Sequence, residues 1–241
     1  MVGCTLRSTR ITLIFSLLFI LQGWPGVAGA SPAADPIRLY GTAMAFDIYR
    51  DGDKVGSHTV NFSRQSADTV QVKARFDLTV TFLTIPVYRF LYVSRSTWRR
   101  GVLSELKADV DDNGDKNFVA ATKSDKGMVI RGPKGVHTWE SALYPTNHWN
   151  AGVLSQKHVL NTLTGDVASV EIRSEGRDKV EAEGKMIEAT RYRYSGDIDT
   201  TVWYDDDGRW VKMRFVAKGG STIDYNCTRC GHGGAQTATA N

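Results

Sequence analysis

TVQVKARFDLTVTFL, residues 69–83, decides how this chain folds. Val70, Val72, Ala74, Phe76, Leu78, Val80 and Phe82 alternate strictly with Gln71, Lys73, Arg75, Asp77, Thr79 and Thr81. A strand turns successive side chains to opposite faces, so this stretch has one dry face and one wet face. On a helix the same apolar residues would be scattered around the whole circumference. YRFLYVSRSTWR, residues 88–99, follows with Tyr88, Phe90, Tyr92 and Trp98 on one parity. Leu91 and Val93 lie on the other, which predicts a strand covered on both faces. The four aromatics form a candidate wall for a ligand cavity, and equally a candidate core.

The pattern repeats outward in both directions. KVGSHTVNF, LSELKADV, NFVAATK, DVASVEI, IEATRYRY and STIDYN each read as strands, giving more than ten in all. RDGD (50–53), DNGD (112–115) and DDDG (205–208) supply Asp-Gly and Asn-Gly pairs, which tolerate the positive φ of tight hairpins. Connections of hairpin length favour an antiparallel meander over β-α-β alternation. The exception is YPTNHWNAGVLSQK, residues 144–157, where Thr146 or Asn147 is placed to cap one short helix. The expected fold class is all-β and mainly antiparallel: a many-stranded curved sheet, half-barrel or barrel, with that helix as plug or lid.

The N-terminus has the pattern of a cleaved export signal over residues 1–30. Arg7 and Arg10 precede an apolar run, and VAGA at 27–30 provides a small-residue cleavage pattern before Ser31. The run is shorter than the roughly 20 residues a membrane-spanning helix needs, so no integral span is expected in the mature form. Beyond it come a linker over 31–40, a single β domain over 41–226 and a flexible tail over 227–241. Removing residues 1–30 removes two Arg and no acid and takes the formal charge from +4 to +2. That near-neutral balance argues against nucleic acid as a partner. Cys227 and Cys230, in CTRCGH, are the only cysteines left. A local disulfide, free thiols, and a metal or redox pair are all compatible with C-x-x-C, and export favours the disulfide.

Two stretches carry candidate chemistry. DVDDNGDK, residues 109–116, matches the first half of a calcium loop at Asp109, Asp111, Asn113 and Gly114, with Asp115 adjacent. Position twelve, which should be a bidentate Glu, is Ala120, and the flanks read as strands. A hairpin centred on Asn113-Gly114 explains the stretch better, leaving Asp109, Asp111, Asn113 and Asp115 as weak metal candidates only. PTNHWN, residues 145–150, gathers Asn147, His148 and Asn150 beside Trp149, a group suited to recognising a polar ligand or supplying a general base. G-x-S-x-G and H-E-x-x-H are both missing from the chain, so no catalytic residue is assigned and no cofactor is expected. His58, His137 and His158 receive no role.

Taken in order, YRDGDKVGSHTVNF, DDNGDK, PTNHWN, SGDID and WYDDDGRWVKMRF resemble an uncharacterised family of exported bacterial proteins known as a domain of unknown function. The resemblance runs from about Phe46 to Tyr225. It implies an all-β fold and a place in the bacterial envelope, and it supplies no substrate or catalytic residue. A looser likeness links the expected fold to periplasmic lipoprotein-carrier half-barrels. The leading expectation is a periplasmic or extracellular, non-enzymatic protein that binds a lipid or other apolar or amphipathic ligand through Asn147, His148, Trp149, Asn150, Tyr88, Phe90, Tyr92 and Trp98. The alternatives are a hydrolase or isomerase centred on His148 and Asn150, and an envelope scaffold that pairs through sheet edges. The sequence holds no signal for an oligomeric state.

Overall fold

The computed structural model describes residues 35–217 and 219–231, which lie in one compact unit. The expected export signal at 1–30 lies outside the described residues. The chain opens on a short helix, α1 (Pro36–Tyr40), then runs through β1 (Ala43–Arg50), β2 (Asp53–Ser66), β3 (Thr69–Phe82), β4 (Ile85–Arg99) and β5 (Val102–Asp112). Next come β6 (Asp115–Ser124), β7 (Gly127–Gly132), β8 (Gly135–Trp139), β9 (Tyr144–Pro145) and, after a 3-10 turn at Ala151–Ser155, β10 (His158–Leu160). The long hairpin β11 (Val167–Ala182) and β12 (Lys185–Gly196) leads to β13 (Thr200–Tyr204), β14 (Trp210–Val216) and β15 (Thr222–Arg229).

All fifteen strands form one sheet in the order β8-β7-β6-β5-β4-β3-β2-β1-β15-β14-β13-β12-β11-β10-β9. Every neighbouring pair is antiparallel except β9 with β10. The first and last strands pair mid-sheet, with Phe46 opposite Cys227. The sheet is not closed by a ladder, because β8 and β9 are its two ends. The two end regions of the sheet are drawn together all the same, the β7–β8 hairpin against β10 and the 161–166 turn. A Cβ on Gly132 would lie 3.0 Å from the Thr164 carbonyl oxygen, and one on Gly165 would lie 3.4 Å from Gly132 Cα. Lys134 pairs with Asp166 at 2.8 Å, and the Trp139 and His158 rings approach to 4.9 Å between centroids.

Alternation makes the inside and the outside. On β3, Val70, Val72, Ala74, Phe76 and Leu78 are buried while Lys73 and Arg75 face solvent. The strand reading holds for residues 69–82, with the inward parity dry as far as Leu78, while Phe82 is exposed and Leu83 belongs to the turn. On β4, however, Val93 is 37% exposed, so that strand is dry on one face only. Charged side chains on the outer wall are the reverse of a membrane-spanning barrel, which turns an apolar band outward. Among the described residues, no helix is long and apolar enough to cross a membrane. Close backbone approach fixes Gly56 on β2, where a Cβ would lie 2.1 Å from the Asp77 carbonyl oxygen.

Two expected boundaries move. Residues 36–40, read as linker, form α1. Its N-cap is Asp35, which accepts from Ile37 N and pairs with Arg64. Pro at the first helical position suits the helix start, and Tyr40 is buried. The tail was expected from residue 227, yet β15 continues to Arg229 and both cysteines are buried. Cys227 and Cys230 are joined as a disulfide. Glu183 on the β11–β12 turn accepts from Cys230 N and from Gly231 N, so the end of β15 is tied to that hairpin.

Candidate functional site

In an antiparallel meander, successive turns fall at alternate ends. The turns at 51–52, 83–84, 113–114, 133–134, 161–166, 197–199 and 217–221 share one end of the molecule. Hydrogen bonds between them agree: Asp51 N donates to Thr222 O, and Thr222 N to Asp51 Oδ1. The opposite end carries the turns at 67–68, 100–101, 183–184 and 205–209 together with α1. There, Arg209 Nε donates to Leu39 O. The α1 end is therefore covered, while the other end is a ring of turns.

Between the two ends the interior is plugged by PTNHWN. The expected helix does not start at Thr146 or Asn147. His148 takes a left-handed φ of 55°, which breaks any helical run, and Asn150 instead caps the 3-10 turn by accepting from Gly152 N at 3.0 Å. The loop is held from several sides. Tyr204 OH donates to His148 O at 2.7 Å, and Tyr40 OH donates to Trp149 O at 2.8 Å while accepting from Trp210 N. Tyr92 OH donates to Asn147 Oδ1 at 3.3 Å. The Trp149 ring sits edge-on to Phe62 and Trp98, at 5.5 and 4.9 Å.

The plug divides the interior. Asn147 and His148 border a cavity of about 840 Å³ that opens at the ring of turns. Trp149 and Asn150 border a smaller one of about 350 Å³ toward α1. The larger cavity is walled by aromatic and aliphatic groups from β3, β4, β14 and β15, among them Phe76, Phe90, Met213 and Tyr225. Its charged members, Arg50, Asp112 and Asp199, stand at strand ends and turns. Arg50 Nε donates to Ser221 Oγ, Tyr88 OH donates to Asp112 Oδ1, and Arg193 pairs with Asp199. Tyr88, Phe90 and Tyr92 thus line the large cavity as expected of a ligand wall. Trp98 does not: it borders the small cavity at the other end.

A second histidine joins His148. His58, on the inward parity of β2 with Val60 and Phe62, borders the same cavity. Both imidazoles are buried and both touch the Trp210 ring, at 5.7 and 5.5 Å between centroids. His58 also meets Phe46, Phe76 and Tyr225, and His148 meets Tyr194. Neither nitrogen of His58 has a hydrogen-bond partner, nor has Nδ1 of His148 or Nδ2 of Asn147. Burial holds the His58 pKa down at about 3, with proximity to His148 adding to the effect, and holds His148 at about 4. Both rings are neutral at pH 7. Sequence reasoning passed over His58, Trp210 and Tyr225. The alternation His58, Val60, Phe62 was the signal that placed His58 inside.

The acidic stretch is a turn. Asn113 and Gly114 have φ of 53° and 101°, and Asp111 Oδ1 accepts from Gly114 N at 2.8 Å. Asn113 N donates to Arg89 O, and Asp112 is engaged by Tyr88. Among the described residues no group of three His, Cys, Asp or Glu is arranged to hold a metal ion, so Asp109, Asp111 and Asp115 are not gathered into such a group. Calcium is expected to leave the melting temperature unchanged. Asp111→Ala should lower stability by about 1 kcal/mol through the lost turn hydrogen bond, with or without calcium. Thermal melts of both proteins check this.

These features define a class: an antiparallel, barrel-like protein with a plugged interior and one open end. Within that class, the chain belongs to the family described as Domain of unknown function (DUF6134), whose model matches residues 46–228. A crystal structure of a β-barrel-like protein of the domain of unknown function DUF1849 from Brucella abortus is similar in fold. Its TM-score is 0.55 at 10% identity, covering 78% of this chain and 95% of that one. No curated protein matches.

Proposed function

We propose that this chain is an exported, non-enzymatic binding protein whose open cavity takes an apolar or amphipathic ligand. The observation that carries the reading is the cavity itself. Its volume of about 840 Å³ falls within the range of small-molecule sites. Its wall is apolar, and its charges are confined to the rim. The export pattern at residues 1–30 supports a periplasmic or extracellular setting, where a water-excluding carrier has a use. The hydrolase or isomerase reading would need a carboxylate or hydroxyl within hydrogen-bond reach of His148. Its buried Nδ1 has no hydrogen-bond partner, and Tyr194 meets the ring in an edge contact. The edge-pairing reading is weakened by the way the two end regions of the sheet meet, the end of β7 against the 161–166 turn at Gly132 and Gly165, and β8 against β10 at Trp139 and His158.

Titration with a dansylated fatty acid tests the proposal. Saturable binding with a blue-shifted emission is expected. Val80→Trp, which adds volume to the cavity wall, should weaken binding by roughly tenfold, about 1.4 kcal/mol. Loss of signal in Val80→Trp with an unchanged urea midpoint supports the cavity. Wild-type protein that shows no saturable binding overturns it.

A further inference from the structure

We infer that the ring of turns around the cavity mouth is a membrane-docking rim, which seats the opening on a lipid bilayer by apolar insertion. Among the described residues, eleven large apolar side chains are exposed. Seven of them, Phe82, Leu83, Ile85, Val87, Val136, Leu163 and Val216, lie at this one end, on or beside turns. Leu83 is 79% exposed and Phe82 and Val216 are each 67% exposed. The β3–β4 tip, FLTIPV at residues 82–87, is built to project. Leu83 and Thr84 both take left-handed φ angles, 48° and 71°, which close a tight turn. A solvated hairpin tip would use Gly, Asn or Asp there, as the 51–52 and 113–114 turns do.

The tip is continuous with the cavity. Val80 and Tyr88, just inside it on the two strands, line the cavity, and so do Leu163 and Val216 on the far side of the mouth. An apolar path therefore leads from the exposed rim to the interior. The outer wall carries charged side chains such as Lys73 and Arg75, so this end, where the exposed apolar groups concentrate, is the part suited to enter an acyl layer.

Charge distinguishes a bilayer held by apolar contact from one held by basic residues. Arg50 pairs with Asp51, Lys116 with Asp111, and Lys134 with Asp166. These turns present paired charges rather than a basic cluster, so attraction to anionic headgroups is not the driving force. Interfacial binding then scales with the apolar area inserted. Docking rests on the rim alone. That it serves to load the cavity rests on the binding reading above.

Co-sedimentation with phosphatidylcholine vesicles tests the docking. Wild-type protein should bind, with little change on raising the salt concentration. The double variant Leu83→Asp, Ile85→Asp should bind at least roughly tenfold more weakly. Its urea midpoint should be unchanged, since both residues are exposed. Val80→Trp should lose the dansylated fatty acid and still bind vesicles, which separates failure of the cavity reading from failure of the rim. Three results overturn the proposal: wild-type protein that ignores phosphatidylcholine, binding that requires anionic lipid and vanishes in salt, or a tip variant that binds as well as wild type. A concentration-dependent dimer lost in the tip variant, without vesicle binding, would assign the rim to a second copy and overturn it equally.

Discussion

Lowering the pH from 7 to 4.5 is expected to cost this protein about 5 kcal/mol of folding stability through two histidines. His58 and His148 are buried among aromatic rings, and their pKa values are held at about 3 and about 4. In the unfolded chain both return to roughly 6.5. Between pH 6.5 and about 4 the unfolded state binds protons that the folded state refuses, so stability falls as the pH falls through that window. The loss is about 1.4 kcal/mol per histidine per pH unit. Set against the typical total of about 5–15 kcal/mol, that approaches full unfolding. Asp51, Asp166 and Asp206, whose hydrogen bonds hold their carboxyls below the ordinary range, add to the acid sensitivity mainly as the pH falls below about 4. A midpoint near pH 4.5 therefore isolates the imidazoles. Urea midpoints measured from pH 7 to 4.5 check the slope. His58→Phe removes a buried ring whose nitrogens have no partners, and should raise stability at pH 7 as well as flatten the slope. His148→Asn keeps a residue tolerant of φ 55° and removes the second ionisation. A double variant with the slope of the wild type would show that the acid loss lies elsewhere.

Trp149→Ala should cost about 3–5 kcal/mol, as expected for deleting a fully packed aromatic side chain. Trp149 is only 3% exposed, and its indole fills the gap between Phe62 and Trp98. The backbone would keep its anchors, because Tyr40 OH and Tyr204 OH bond carbonyl oxygens of the loop rather than side chains. The loop should thus stay in place while the partition between the two interior spaces opens. Trp149→Phe, which retains an aromatic partner for both neighbours, should recover more than half of the loss. Chemical denaturation of the two variants gives the comparison. A loss under about 1 kcal/mol for the alanine variant would mean that the loop, not the indole, carries the packing.

The local part of this fold was legible. Strict alternation placed β3, and Asp-Gly and Asn-Gly pairs placed the turns at 51–52 and 113–114, where Asp51 and Asn113 take φ of 52° and 53°. The candidate site was legible only in part. Asn147, His148, Trp149 and Asn150 do occupy the interior, but the helix expected through them is interrupted at His148. Trp98 shares the inward parity of Phe90 yet belongs to a different pocket. Eight residues along a strand cover roughly 26 Å, and parity carries no record of distance. His58 and His148 lie far apart in sequence and meet only because the sheet curls back on itself. Curvature is the sum of twist over many strands, and no local pattern encodes it. The seam at β8 and β9 is of the same kind.

The pairing of β1 with β15 has a consequence for the newly made chain. β1 is synthesised first among the strands and finds β2 at once, but its second neighbour is the last strand to be made. Until then, every strand from β2 to β8 can zip onto its predecessor while one side of β1 stays open. An unpaired strand edge of eight residues is a template for mispairing between nascent molecules. β15 therefore works as the clasp of the fold. The Glu183 contacts at its end tie that clasp to the β11–β12 hairpin.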